Sequence, residues 1–312
     1  MNEFTIIENF FNSSSVNRND VIVGIGDDCA IVQAPAEQEL LITTDTLVSD
    51  VHFFPDSNAY DIGFKSLAVN LSDLAAKGAE PAWITLALTL PEANETWLRD
   101  FSRGLFDLAN RYHVQLIGGD LTKGPLTITI QAMGFAPKNQ SLKRSGAKPG
   151  DLIYVTHTLG DAALGLACLE KSISLPTHYH DYLITRHCRP EPRVEMGKQL
   201  RGIAHAAIDI SDGLAADLEH ILTMSEVGAT VYVNKLPLSE AMLKSVSRKE
   251  GLELALCGGD DYELCFTIPP EKANLLDKNY TCVGEITDSK GLDLRYLDGK
   301  KYNGTQTGYK HF

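Results

Sequence analysis

The chain lacks most of the short signatures that betray a chemistry at a glance. No C-x-x-C pair occurs among its six cysteines (Cys29, Cys168, Cys188, Cys257, Cys265, Cys282), which excludes a zinc ribbon and a thioredoxin-like redox pair. No G-x-x-x-x-G-K-[ST] loop is present, so a Walker-type phosphate cradle is missing. Gly24-x-Gly26 runs on into Asp-Asp-Cys, so the dinucleotide fingerprint fails at its third glycine. G-x-S-x-G and H-E-x-x-H are missing as well. The longest greasy run, Trp83 to Leu90, is far too short to cross a bilayer. Basic residues are scarce: 28 Lys and Arg stand against 41 Asp and Glu, a net charge of −13. Such a balance repels phosphate backbones and anionic membranes, so nucleic acid and membrane are not expected partners. Glu3 and Glu8 sit where a signal peptide needs a positive start and an apolar run. The scattered cysteines read as reduced thiols, and the chain is expected to be soluble and cytoplasmic.

What is present is an ordinary globular composition, 44% hydrophobic and 22% charged over 312 residues, which excludes intrinsic disorder and makes two domains the default. Phe4, Ile7, Phe10 and Phe11 have the spacing of a short amphipathic helix. Further helices are predicted near 61–77, 95–112, 161–170, 193–204 and 213–224. Asp61 would cap the first of these and Gly78 would stop it. Strand-like runs lie at 21–25, 30–33, 40–44, 82–89, 114–117, 126–135, 152–156, 206–210, 230–233, 263–268 and 281–285. The alternation predicts an α/β (or α+β) fold. Residues 136–151 are polar, basic and rich in Gly and Pro, so the domains are placed at 1–137 and 150–312 with an interdomain loop at 138–149. One local echo, Leu116–Asp120 and Leu256–Asp260, is expected at the ends of two strands.

The informative residues are aspartates in glycine or apolar surroundings: Asp27 and Asp28, Asp45, Asp73, Asp120, Asp209 and Asp212, Asp260 and Asp261. Most are expected where a strand ends or a helix begins, the places where α/β folds collect ligands. If they converge, each pair at 4 Å repels by about 4 kcal/mol at an effective dielectric near 20, and hard divalent cations relieve such crowding through oxygen ligands. Plainer uses exist for each. Ser211 or Asp212 could cap the helix that follows, and Asp27 and Asp28 could be turn residues. Asp73 projects nearly opposite the apolar face of its helix and could pair in solvent with Lys77. His178, His180 and His187 read as surface residues. His52 follows the Asp45 segment closely, and its position suits a structural role as well as a ligand role.

Seven segments taken together resemble the thiamine-monophosphate kinase family, of the aminoimidazole ribonucleotide synthetase superfamily. They are GIGDDCA, TTDTLVSDVHF, KSLAVNLSDLAAKGAEP, LIGGDLT, RSGAKPGDLIYVTHTLGDAALGL, AIDISDGLAADL and GGDDYELCFT. They come in the family's order and span nearly the whole chain. The resemblance implies a two-domain synthetase-like α/β fold whose N-terminal sheet joins that of a second copy in a dimer barrel. It implies transfer of the ATP γ-phosphoryl group to thiamine monophosphate, giving thiamine diphosphate, with several Mg²⁺ ions as cofactor. Asp28, Thr43, Thr44, Asp45, Asp73, Asp120, Asp209 and Asp212 would hold the metal. Gly119, Asp120, Arg144 and Ser211 would contact ATP, and His52 and Asp260 the thiamine monophosphate, with Asp27 and Asp261 beside them in supporting positions.

The sequence departs from the family pattern near its end, where Gln306 stands in place of an aromatic that stacks on the thiamine ring. It also has Asp260 where some relatives carry Glu. The expected mechanism is positioning and charge neutralisation with no covalent nucleophile, because the acceptor is a phosphate oxygen already ionised near neutral pH. The alternatives are another ATP-dependent enzyme of the superfamily and a non-catalytic, metal-stabilised binding protein. Residues 1–28 contain no cysteine, which speaks against a selenophosphate synthetase.

Overall fold

A computed structural model of the chain describes residues 2–12, 16–171, 173, 175–304 and 308. The chain divides into two compact units: 1–74 with 79–141, and 75–78 with 142–312. The sheets of both are mixed, as expected of an α/β protein.

The first unit opens with α1 (Glu3–Ile6), which runs on as a π-helical turn over Ile7–Phe11. A two-stranded ribbon of β1 (Val21–Val23) and β2 (Ile31–Val32) follows. Its main sheet contains β3 (Gln38–Val48), β4 (Glu80–Leu90), β5 (Gln115–Lys123) and β6 (Thr127–Pro137), in the order β3-β6-β4-β5. Only β4 and β5 are parallel. Parallel neighbours need a long crossover, and the helix of residues 95–111 supplies it. That helix, α3 (Glu95–Arg111), is capped by the Asn94 side chain at Trp97 N.

Before β4 lies α2 (Ala59–Ala76). It starts two residues earlier than the Asp61 reading, because Asn58 caps it: the Asn58 side chain accepts from Tyr60 N at 2.9 Å. Gly78 ends it in the left-handed region (φ +66) as expected. The two helices touch through glycine. A Cβ on Gly63 would stand 2.0 Å from Phe101 O, and one on Gly104 would stand 1.9 Å from Tyr60 O. One face of the sheet, Ile84, Leu86, Leu88, Ile128 and Ile130, is buried. The other face packs Trp83, Ile117, Met133 and Phe135 under Val21, Ala30 and Val32 of the ribbon.

The second unit carries β7 (Leu152–Thr156), β8 (Ala206–Ile210), β9 (Gly228–Tyr232), β10 (Glu263–Ile268), β11 (Tyr280–Thr287) and β12 (Gly291–Arg295). Their order is β12-β9-β11-β7-β10-β8. Around them lie α4 (Asp161–Leu169), α5 (Thr177–Cys188), α6 (Val194–Gln199), α7 (Leu214–Ser225), α8 (Glu240–Ser245) and α9 (Arg248–Cys257). Every residue of β8 and of β10 is buried, so the turns at their ends are anchored in the best-packed part of the unit. The larger core joins Ile208, Leu218, Leu256 and Val283. A satellite core joins α4, α5 and α8 through Leu164, Leu183 and Met242.

Three local expectations change. Helix α5 is absent from the sequence reading, and its His187 is buried, with 6% exposure, rather than on the surface. Leu256 and Cys257 end α9, so the second half of the Gly-Gly-Asp echo follows a helix instead of a strand. Asp45 and Gly119–Asp120 lie inside β3 and β5 rather than in turns.

Candidate active site

Within the first unit, the Gly24–Ala30 segment and residues 118–121 of β5 line one cavity of about 640 Å³, in the size range of small-molecule sites. Glycine makes it possible. Gly119 has φ +157, and a Cβ there would lie 1.8 Å from Leu86 O. Gly26 (φ +114) turns the facing segment. Asp27, Asp28 and Asp120 put carboxylates on the wall, while Ile7, Phe11 and Leu88 supply an apolar part. Asp28 N donates to Asp27 Oδ1 at 2.8 Å, which ties the two acids into one turn.

On β3, side chains alternate across the sheet. The Thr43 hydroxyl donates to Asp73 Oδ2 on α2. Asp73 is therefore a half-buried acceptor against the sheet instead of a solvated side chain, because α2 is buried nearly all round. Thr44 turns the other way and accepts from Gln131 Nε2 at 3.4 Å. Asp45 is partly buried and pairs with Ile130 of β6. His52 Nδ1 accepts from Val48 N at 3.0 Å, so a neutral His52 carries its proton on Nε2 and can donate there.

Asp45 and Asp120 do not meet within one sheet. The row Asp45–Ile130–Leu86–Gly119 crosses all four strands, so the two acids sit three strand spacings apart, about 14 Å in a flat sheet.

The second unit gathers its predicted residues around two adjoining turns. β8 carries Asp209, buried with 5% exposure, and ends at Ser211-Asp212-Gly213. β10 is preceded by Gly258–Tyr262. Ser211 O accepts from Asp260 N at 2.9 Å, and Ile210 O from Tyr262 N at 2.8 Å, so Ser211, Asp212 and Asp260 belong to one surface. Neither Ser211 nor Asp212 caps α7; Gly213 occupies the cap position without a side-chain bond. Instead Asp217, one turn into the helix, reaches back and accepts from Ser211 N and Asp212 N, each at 3.0 Å. Burial pushes the Asp217 carboxyl up to about 7 against those two bonds, and the Asp212 charge adds to the rise. Arg144 is exposed, and its positive charge lies close enough to Asp217 to oppose that rise. Its backbone is fixed by Ser225, whose hydroxyl donates to Arg144 O and accepts from Gly146 N.

Asp261 turns inward and is fully buried. It accepts from Gly160 N at 2.6 Å and Ala162 N at 3.3 Å, at the start of α4. Burial pushes its carboxyl up to about 8. Next to it, Glu263 is wholly buried between Arg186, Arg193 and Thr156. Burial alone would raise its carboxyl, but the two guanidinium groups and the Thr156 hydroxyl hold it below the ordinary range. Gln306 lies outside the described residues.

Known proteins give this arrangement a relative. Residues 26–136 match the AIR synthase related protein, N-terminal domain, and residues 148–297 match the corresponding C-terminal domain. Thiamine-monophosphate kinase of Escherichia coli K12 is 50% identical over 99% of this chain and 98% of its own length. The chain belongs to the thiamine-monophosphate kinase family. The solved thiamine-monophosphate kinase of Stenotrophomonas maltophilia superposes with a TM-score of 0.89 at 44% identity, covering 97% of this chain and 98% of that one. AaThiL complexed with AMPPCP and TMP gives a TM-score of 0.80 at 33% identity, covering 99% and 97%. The expected family and its two-domain synthetase-like fold are thus borne out.

Sequence reasoning missed Asp217, His187, Arg186, Arg193 and Glu263 as the residues packed around these two turns. Asp217 carried a faint signal, an acid spaced to reach back over the first turn of a helix. The arginine pair carried none, because its partner is some seventy residues away.

Proposed function

We propose that the chain transfers the γ-phosphoryl group of ATP to thiamine monophosphate, forming thiamine diphosphate and ADP. The observation that carries this reading is the cavity where Gly118–Asp120 faces Gly24–Asp28, of nucleotide size and with backbone close enough to approach phosphates. Gly119, Asp120, Arg144 and Ser211 are assigned to ATP. His52, through Nε2–H, and Asp260 are assigned to thiamine monophosphate.

The donor set suits a hard divalent cation, since the acids and hydroxyls at Asp28, Thr43, Thr44, Asp45, Asp73, Asp120, Asp209 and Asp212 offer only oxygen. Among the described residues, no group of three or more His, Cys, Asp or Glu forms a ready-made cage. Mg²⁺ commonly takes one or two protein carboxylates and completes its shell with water and substrate phosphates. When bound, it would neutralise the phosphate charge that these carboxylates otherwise repel. The acceptor needs no deprotonation, so the protein's own task is orientation. Transfer is direct and in line, without a phosphoenzyme.

The distance between Asp45 and Asp120 supports a site completed by a second copy. Ile22, Ile31, Leu40 and Ile42, all in the first unit, are 44–63% exposed, which favours a covered face. A homodimer joined through these sheets would bring the β3 edge of one copy towards the β5 edge of the other. No helix among the described residues is long and apolar enough to cross a membrane.

The test is coupled ADP release by purified protein with magnesium and ATP. Release that requires thiamine monophosphate supports the proposal. Equal release without it, or with unrelated phosphorylated acceptors, contradicts it. A rapid-quench experiment that trapped labelled protein would refute direct transfer.

A further inference from the structure

We propose that Tyr262 and His187 are positioning residues that hold the Asp260 carboxylate in one orientation towards the cationic ring of the substrate. The inference rests on the reading of Asp260 as a substrate contact. The Gly258–Tyr262 loop is built to hold that carboxylate.

Two non-glycine residues of that loop, Asp260 (φ +68) and Tyr262 (φ +50), occupy the left-handed region. Such backbone is disfavoured for ordinary side chains and persists where the surroundings over-determine it. The surroundings do so here. Asp260 N and Tyr262 N are bonded to the carbonyls of Ser211 and Ile210, and Asp261 between them is anchored inward on Gly160 N. Gly259 leaves no room for a shift, since a Cβ there would lie 2.6 Å from Ser211 O.

The consequence is that Asp260 faces outward, its side chain 33% exposed, while Tyr262 folds back over it. Tyr262 OH donates to Asp260 Oδ1 at 3.1 Å. His187, buried in the last turn of α5, brings Nδ1 to 3.6 Å from Asp260 Oδ2. The Tyr262 hydroxyl therefore restrains one carboxylate oxygen by a hydrogen bond, while His187 Nδ1 stands beside the other just beyond hydrogen-bond distance and limits where that oxygen can swing. A carboxylate fixed before the substrate arrives loses less entropy on binding than one that must be ordered.

The experiment compares steady-state constants of wild type, Tyr262→Phe, Asp260→Ala and the double variant. Tyr262→Phe removes only the hydroxyl and should raise KM for thiamine monophosphate about tenfold, the loss expected of one hydrogen bond to a charged group. KM for ATP and kcat should stay within about twofold. On the Asp260→Ala background the same change should do nothing further, because its target is gone. Should Tyr262→Phe fail to fold, His187→Gln provides the same comparison. An unchanged KM for thiamine monophosphate, a loss confined to kcat, or an equal effect with and without Asp260 would overturn the inference while leaving the kinase reading intact. Wild type without acceptor-dependent ADP release overturns both.

Discussion

Glu263→Gln should destabilise the second unit more than any other conservative exchange near the candidate site. Glu263 has no exposed surface. Its Oε1 meets Arg186 Nη2 at 2.8 Å and Arg193 Nη2 at 2.5 Å, and its Oε2 meets Arg193 Nε at 2.7 Å and the Thr156 hydroxyl at 2.5 Å. Glutamine keeps the shape but removes the charge, and its amide NH₂ must point at a guanidinium. Two largely buried cations then share no anion at this point. Removing one partner of a buried ion pair costs about 3–5 kcal/mol, which for a unit of this size lowers the unfolding midpoint by roughly 6–20 °C.

Thermal unfolding followed by far-UV circular dichroism measures the shift. Both tryptophans, Trp83 and Trp97, belong to the first unit, so their fluorescence reports on that unit separately. Replacing Arg186, Arg193 and Glu263 together with apolar residues of similar volume should be less harmful than Glu263→Gln alone, because no uncompensated charge remains. A Glu263→Gln midpoint within about 2 °C of wild type, under 1 kcal/mol, would refute the reasoning.

Other outcomes follow from the same packing. Gly119→Ala drives a methyl into the Leu86 carbonyl and should force β5 away from β4, lowering nucleotide affinity at least about tenfold as measured by titration calorimetry. Asp261 is held at about 8, against an ordinary 3.8, by burial. The raised value means that its contribution to stability is complete below about pH 4 and is lost as pH rises through about 8. Wild-type midpoints should therefore fall between about pH 4 and pH 8 and level off above that, and Asp261→Asn should flatten that fall; parallel curves would count against the assignment. Ile42→Lys places a charge on the exposed face of β3 and should convert a dimer to monomers in sedimentation velocity, whereas a monomeric wild type would contradict the shared-sheet reading.

Much of this site was legible because its chemistry sits in contiguous segments. Gly119 and Asp120 announce themselves together, as do Ser211 and Asp212, and the order of seven such segments identified the family. Strand bounds were harder. Thr43, Thr44 and Asp45 read as the end of a strand because polar residues follow apolar ones, yet β3 continues to Val48 and gives alternate residues opposite faces. Asp73 misled through helical periodicity, which assumes a solvated side that α2 does not have. Glu263 was invisible, and Asp217 nearly so, for a different reason. A carboxylate in a strand or a helix normally faces water, and only the fold reveals that arginines or backbone amides receive it. His187 illustrates the same limit, since a histidine-rich polar stretch looks exposed until α4 and α8 pack against it.

The most direct measurement supplies ATP labelled in its γ-phosphate together with thiamine monophosphate and magnesium, then separates the products. The account predicts that the label appears in thiamine diphosphate, in step with ADP formed, and that Asp73→Asn nearly abolishes this while leaving the unfolding midpoint in place. Label recovered as inorganic phosphate, or left in ATP, would contradict it.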